Sequence, residues 1–234
     1  QDANQNMRYS PKPVVAAPTG LTLGGGAEVT MGANQVVAAG ELYMGLVEFG
    51  VGLIPGGGGN IQMLRNIFGP HSDNKDFPAL PFLQKIFMTI GMAKVATSAE
   101  EAIETGFLDA NRDTVLLNRS HLLHTAKQRV LGMAASGFRP PREQKFRLPG
   151  RDGYATIDML LYSMVENGQI SAHDRLIGQK LAYVLTGGQT SASNLVTEQY
   201  LLDLEREAFL SLCGEEKTKA RMINVAMGKG VLRN

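Results

Sequence analysis

Lys12-Pro13-Val14-Val15-Ala16-Ala17, followed shortly by Leu23-Gly24-Gly25-Gly26-Ala27-Glu28, is the stretch that decides the reading of this chain. The apolar run Val14 to Ala17 after Pro13 predicts a short buried strand. Thr19-Gly20 and the three glycines break it, and Ala27 to Ala33 predicts the start of a helix. A triple glycine between a strand and a helix leaves backbone N–H groups uncovered at a helix N-terminus, where the helix dipole favours negative charge. An oxyanion hole needs that arrangement. A phosphate loop is the rival reading, but no Gly-Lys-Ser/Thr follows and no G-x-G-x-x-G is present. A tight turn joining strand to helix asks for the same glycines and no ligand at all.

Working outward, Val36 to Ala39 predicts a second strand, and Leu42 to Val51 a series of short strands and turns. Pro55 and Gly56 to Gly59 precede a helix over Ile61 to Phe68, which Gly69-Pro70 stops. This alternation predicts βα units and a parallel sheet, so the fold class is α/β. Residues 1–10 read as a polar lead-in and 70–81 as a loop. A helix begins at Phe82, a capping-box pattern stands at Ser98 and Glu101, Gly106 is a stop, and 118–136 is helical. Prolines and charges make 138–153 a linker. Three or four helices fill 154–228. One is capped by Ser171 and Asp174 and ends at Thr186-Gly187-Gly188. Another carries the stripe Leu201, Leu204, Ala208, Leu212. The expected organisation is an α/β core portion over 1–137, a linker over 138–153 and a helical region over 154–234.

Composition narrows the function classes. The 234 residues are 44% hydrophobic and 19% charged, which is globular rather than disordered. The net charge of +1 lacks the footprint of a nucleic-acid binder. No apolar run reaches the ~18 residues of a membrane helix, so no membrane insertion is expected. The polar opening QDANQNMRYS shows no signal peptide, and an opening on Gln1 rather than Met suggests a fragment or a processed start. Cys213 is the single cysteine, which fits a reducing compartment, and a cytoplasmic location is expected.

A carboxylate pair is the second chemical signal. Glu28 lies just after the glycines, beyond Ala27. Glu48 stands between Leu46, Val47 and Phe49, where a carboxyl tends to have a raised pKa and can act as a general acid. Two carboxyl groups beside one oxyanion site can hold a water and move protons on either side of it. Two unrelated glutamates, one serving a helix N-terminus, is the competing reading. The third signal is Gly52-Leu53-Ile54-Pro55-Gly56-Gly57-Gly58-Gly59-Asn60. It permits close approach of backbone to a ligand, or forms a flexible loop.

These three blocks, in this order and spacing, resemble the crotonase (enoyl-CoA hydratase/isomerase) superfamily. YSPKPVVAAP, LGGGAEV, YMGLVE, GVGLIPGGGGN, TSAEEA, LAYVLTGG, EQYLLDLEREAFLSL and the final LRN look like the hydratase part of bacterial bifunctional 3-hydroxyacyl-CoA dehydrogenase/enoyl-CoA hydratases of fatty-acid β-oxidation, across residues 9–234. The resemblance implies a partial ClpP/crotonase-like ββα core followed by a C-terminal helical region. It implies Gly25 as an oxyanion donor, Glu28 as the carboxylate that activates water, and Glu48 as the proton donor to the α-carbon. Gly24, Gly26, Pro55, Gly56, Gly57 and Gly58 would border the acyl-CoA substrate. The hydratase step needs no cofactor and no metal; NAD would serve a dehydrogenase part outside these residues. The first half of the crotonase core and its second oxyanion donor are expected outside them too. The implied partners are acyl-CoA, the dehydrogenase part and a homo-oligomer. An isomerase needs one such carboxyl, so the pair favours a hydratase. A non-catalytic assembly fragment of the same enzyme is the alternative.

Other residues carry weaker signals. His121 and His124 lack the spacing of a zinc-protease helix. Arg139, Arg142, Lys145, Arg147 and Arg151 suit a solvated linker, a docking face or the phosphates of CoA. Phe87, Met88 and Met92 read as core or as an acyl tunnel. Cys213 is expected to be buried and inert.

Overall fold

The computed structural model describes Gln1–Asn234. In chain order the elements are α1 (Asp2–Arg8), β1 (Val15–Ala16), β2 (Gly20–Leu23), α2 (Gly25–Gly32), β3 (Gln35–Ala39), β4 (Leu42–Gly45) and α3 (Gly59–Phe68). There follow α4 (Ala79–Gly91), α5 (Ala99–Thr105), β5 (Thr114–Leu116), α6 (Leu122–Ala135), β6 (Lys145–Arg147), α7 (Gly150–Glu166), α8 (Ala172–Leu185), β7 (Leu195–Thr197), α9 (Glu198–Cys213) and α10 (Glu216–Ala226). Parallel strands need a crossover, and α2 supplies it twice over. β1 pairs with β3 (Ala16 opposite Val36) and β3 with β5 (Ala38 opposite Val115), all parallel. β2 runs parallel to β4, with Leu21 opposite Tyr43 and Leu23 opposite Gly45. The α/β expectation thus holds, and a helical region of α7 to α10 closes the chain.

Several elements depart from the sequence reading, each for a visible reason. The polar lead-in is helix α1, which is tied to distant parts of the chain by hydrogen bonds. Asn4 Nδ2 donates to the Gly57 carbonyl at 2.7 Å, and Asn34 Nδ2 to the Arg8 carbonyl at 2.7 Å. The Thr19-Gly20 break opens strand β2, which is short because it pairs only with β4. Charge hid β6, an antiparallel partner of β7 that buries Phe146 between exposed Lys145 and half-buried Arg147. α7 starts at Gly150, four residues earlier than the sequence suggests, and α4 starts at Ala79 directly after Pro78. β5 carries no alternating pattern strong enough to announce it.

Capping signals fared better. The Ser171 hydroxyl accepts from Asp174 N, and the Asp174 carboxylate accepts from Ser171 N, a full capping box for α8. At α5 the box is split: Ser98 Oγ accepts from Glu101 N, but Glu101 Oε2 accepts from Thr97 N at 2.8 Å.

One cluster of 38 buried residues runs from Ala27 and Met31 through Leu64, Ile86 and Phe146 to Leu181 and Leu212. The stripe Leu201, Leu204, Ala208, Leu212 is buried within this same chain. No helix is long and apolar enough to cross a membrane.

Candidate functional site

β2 delivers the glycine turn, and β4 braces it. Gly24 has φ +55° and ψ −126°, a conformation that a side chain would strain. Its N–H donates to the Gly45 carbonyl at 2.8 Å, which ties the turn to the end of β4. α2 then begins at Gly25. The first N–H groups of a helix have no acceptor within it, and those of Gly25 and Gly26 donate to no other group of the chain. Both glycines are exposed, and a Cβ on either would meet nothing within 4 Å. Two adjacent N–H donors thus face open space at a helix N-terminus, as oxyanion binding requires.

Glu28 lies one turn into α2 and is 6% exposed. Its Oε1 accepts from Gly57 N and from Gly59 N, each at 2.8 Å. A Cβ on Gly57 would stand 2.6 Å from Glu28 Oε2, so the loop reaches the carboxylate only as glycine. Burial raises the Glu28 pKa, and the Gly59 and Gly57 hydrogen bonds oppose that rise.

Glu48 opens a 3-10 turn, Glu48–Val51, soon after β4. A Cβ on Gly24 would sit 3.2 Å from Glu48 Oε1, which places this carboxyl against the glycine turn. Burial, then the charge of Glu28, push its pKa up to about 7. Its Oε2 is buried without a hydrogen-bond partner. The Glu48 carboxyl therefore stands against the glycine turn, while Glu28 lies one turn into the helix that the turn opens, with its carboxylate held by the Gly57–Gly59 loop.

The glycine loop faces inward more than the sequence suggests. Pro55 is buried and its carbonyl accepts from Asn60 Nδ2 at 3.2 Å. Gly56 packs against Phe209 of α9, and a Cβ there would stand 2.6 Å from the Phe209 ring. Gly58, at φ +105°, donates to Glu205 Oε1 at 2.7 Å. Glu205 is 1% exposed and was missed from the sequence. The available signal was its place on the apolar stripe, four residues after Leu201 and three before Ala208.

The remaining candidates lie apart. His121 and His124 are exposed, and no three His, Cys, Asp or Glu side chains are grouped to hold a metal. Phe87, itself buried, lines a cleft of about 470 Å³ together with Met88, Met92, Phe49, Leu161 and Met164. Cys213 is half-buried rather than fully enclosed.

Residues 1–75 match the enoyl-CoA hydratase/isomerase family. An enoyl-CoA hydratase from Bacillus halodurans shares the fold at a TM-score of 0.54 and 16% identity, over 94% of this chain and 64% of that one. The chain thus shares the fold of that hydratase, and its first 75 residues match the enoyl-CoA hydratase/isomerase family model. Across all 234 residues it is 46% identical to the "Probable 3-hydroxyacyl-CoA dehydrogenase" of Bacillus subtilis (strain 168), and spans 29% of that protein. It is also 36% identical over 104 residues to the "Peroxisomal fatty acid beta-oxidation multifunctional protein" of Oryza sativa subsp. japonica, covering 44% of this chain and 12% of that one. The chain thus spans less than a third of the length of these curated relatives.

Proposed function

We propose that this chain carries the water-adding half-site of an enoyl-CoA hydratase within a longer 3-hydroxyacyl-CoA dehydrogenase polypeptide. The observation that carries the reading is the pair Glu28 and Glu48 beside the unpartnered N–H groups of Gly25 and Gly26. In this reading the thioester carbonyl of a trans-2-enoyl-CoA accepts from Gly25 N, which stabilises the enolate charge as it develops. Glu28, as carboxylate, takes a proton from water while the water oxygen bonds to the β-carbon. The Glu48 carboxyl gives its proton to the α-carbon, and the double bond becomes a single bond. Glu28 ends protonated and Glu48 ionised; proton exchange with solvent restores both. A Glu48 pKa of about 7 keeps that carboxyl a usable donor at neutral pH. The length and name of the Bacillus subtilis relative support an NAD-dependent dehydrogenase part in the same polypeptide.

The test is Glu28→Gln and Glu48→Gln in the full-length polypeptide, with crotonyl-CoA as substrate. Each substitution is expected to lower kcat/KM by roughly 100-fold or more. Near wild-type hydration by both variants would refute the assignment.

A further inference from the structure

Glu205 is a buried carboxyl that the hydration steps do not use. A carboxylate on the apolar face of a helix is costly to bury unless its oxygens are fully engaged. Here they are. Oε1 accepts from Gly58 N at 2.7 Å and from Gln1 Nε2 at 3.0 Å. Oε2 accepts from Asn60 N at 3.2 Å and from Asn60 Nδ2 at 2.9 Å. The pattern along the loop is alternating. Gly57 and Gly59 donate to Glu28, whereas Gly58 and Asn60 donate to Glu205. Four consecutive N–H groups therefore join a carboxylate of α2 to a carboxylate of α9. These are the loop and first-turn donors of α3, which have no acceptor in that helix.

We propose that Glu205 is a positioning residue for the water-activating carboxylate: it fixes the Gly57–Asn60 segment, and that segment fixes Glu28. The inference rests on the hydration reading above for its kinetic consequence, but not for its structural one. Without Glu205, Gly58 N and both Asn60 donors lose a buried acceptor, and the segment that orients Glu28 loses its outer anchor. Among the charged side chains, Glu28 acts on both Glu48 and Glu205, and Glu205 acts on Glu48. Arg206, the neighbour of Glu205 on α9, turns instead to the Gln1 side-chain oxygen at 2.9 Å. Burial, then the charge of Glu28, push the Glu205 pKa up to about 7 against its hydrogen bonds, and on the alkaline side, where Glu205 is ionised, its charge helps to lift the Glu48 pKa.

The experiment uses Glu205→Gln in the full-length polypeptide with crotonyl-CoA, alongside wild type and Glu28→Gln. Expected is a fall in kcat of about 10- to 100-fold with KM changed by about twofold or less, because reacting groups are misplaced rather than removed. The alkaline limb of the rate profile moves to lower pH, because Glu48 releases its proton more readily once the Glu205 charge is gone. Amide hydrogen exchange reads the same loop without turnover. The N–H groups of Gly57 and Gly59, which do not touch Glu205, are expected to exchange about tenfold faster in the variant. Should Glu205→Gln fail to fold, Asn60→Ala removes one donor and keeps the carboxylate. It is then expected to shift the limb and the exchange in the same directions by less. A folded variant with wild-type kcat, limb and Gly57/Gly59 exchange overturns the proposal. An inactive wild type, or a fully active Glu28→Gln, strikes the hydration reading and leaves the exchange result to decide the role of Glu205.

Discussion

Glu48 is held where its charged form is disfavoured, and that has a thermodynamic signature separate from activity. Its folded pKa of about 7 lies above the ordinary value of 4.5. A raised carboxyl pKa means that the native state binds the proton more tightly than the unfolded chain does. The associated stability is present below the unfolded pKa and is lost as pH rises through the folded one. Replacing Glu48 by glutamine, which resembles the protonated form, is therefore expected to raise Tm by about 3 °C at pH 8. At pH 5 the same substitution is expected to be nearly neutral. Thermal unfolding of both proteins at the two pH values checks this; an equal effect at both would remove the titration argument. Glu48 was legible as a buried acid because Leu46, Val47 and Phe49 surround it in sequence. Glu28 was legible only through the glycines before it, since its donors Gly57 and Gly59 arrive from another loop. Glu205 was overlooked because the apolar stripe around it drew the reading to packing alone.

At the level of elements, α10 acts as a strut behind the Glu48 turn. Thr218 Oγ1 donates to the carbonyl of Gly52 at 2.8 Å, and His173 Nε2 of α8 meets the same hydroxyl at 3.0 Å. Gly52 ends the turn with φ +85°, and a Cβ there would lie 2.9 Å from Thr218 Oγ1. Thr218→Val keeps the shape and removes the hydroxyl, leaving a buried carbonyl and an imidazole without a partner. A loss of about 1–3 kcal/mol in unfolding free energy is expected, read from the urea midpoint at constant m. A change under about 0.3 kcal/mol would show that water replaces the hydroxyl. Local chemistry announced the elements that carry their own signals. The Ser171/Asp174 box fixed the start of α8, and Gly106, at φ +90°, ends α5 as read. Elements that depend on partners far along the chain were not announced. α1 is polar because Arg65, Glu198 and Asn34 meet its end and its flank, and β6 exists because β7 pairs with it.

Across the whole molecule, the α/β portion and the closing helices share one buried cluster, in which Leu64 and Ile86 stand with Phe146, Leu181 and Leu212. The sequence suggested a boundary at 138–153. We propose instead that the portions on either side of it unfold together. Urea denaturation of the 234-residue chain is expected to give one transition, with the same midpoint by far-UV circular dichroism and by tyrosine fluorescence. Two separated midpoints would restore an independent helical region. The likeness to the enoyl-CoA hydratase/isomerase family was legible in three motifs, whereas the shared core was not. Periodicity reports which face of a helix is apolar and says nothing of which element covers it.

The loop that holds Glu28 also sets a rule of inheritance. Gly58 and Glu205 lie 147 residues apart, and Arg65 and Glu198 lie 133 apart, yet each pair meets in the protein interior. A lineage that alters one member without the other leaves a buried donor or a buried charge stranded, so the two stretches drift together or not at all. Gene splitting or exon shuffling between residues 68 and 198 would separate them, and complementation between the two pieces would be the only route back to a held carboxylate.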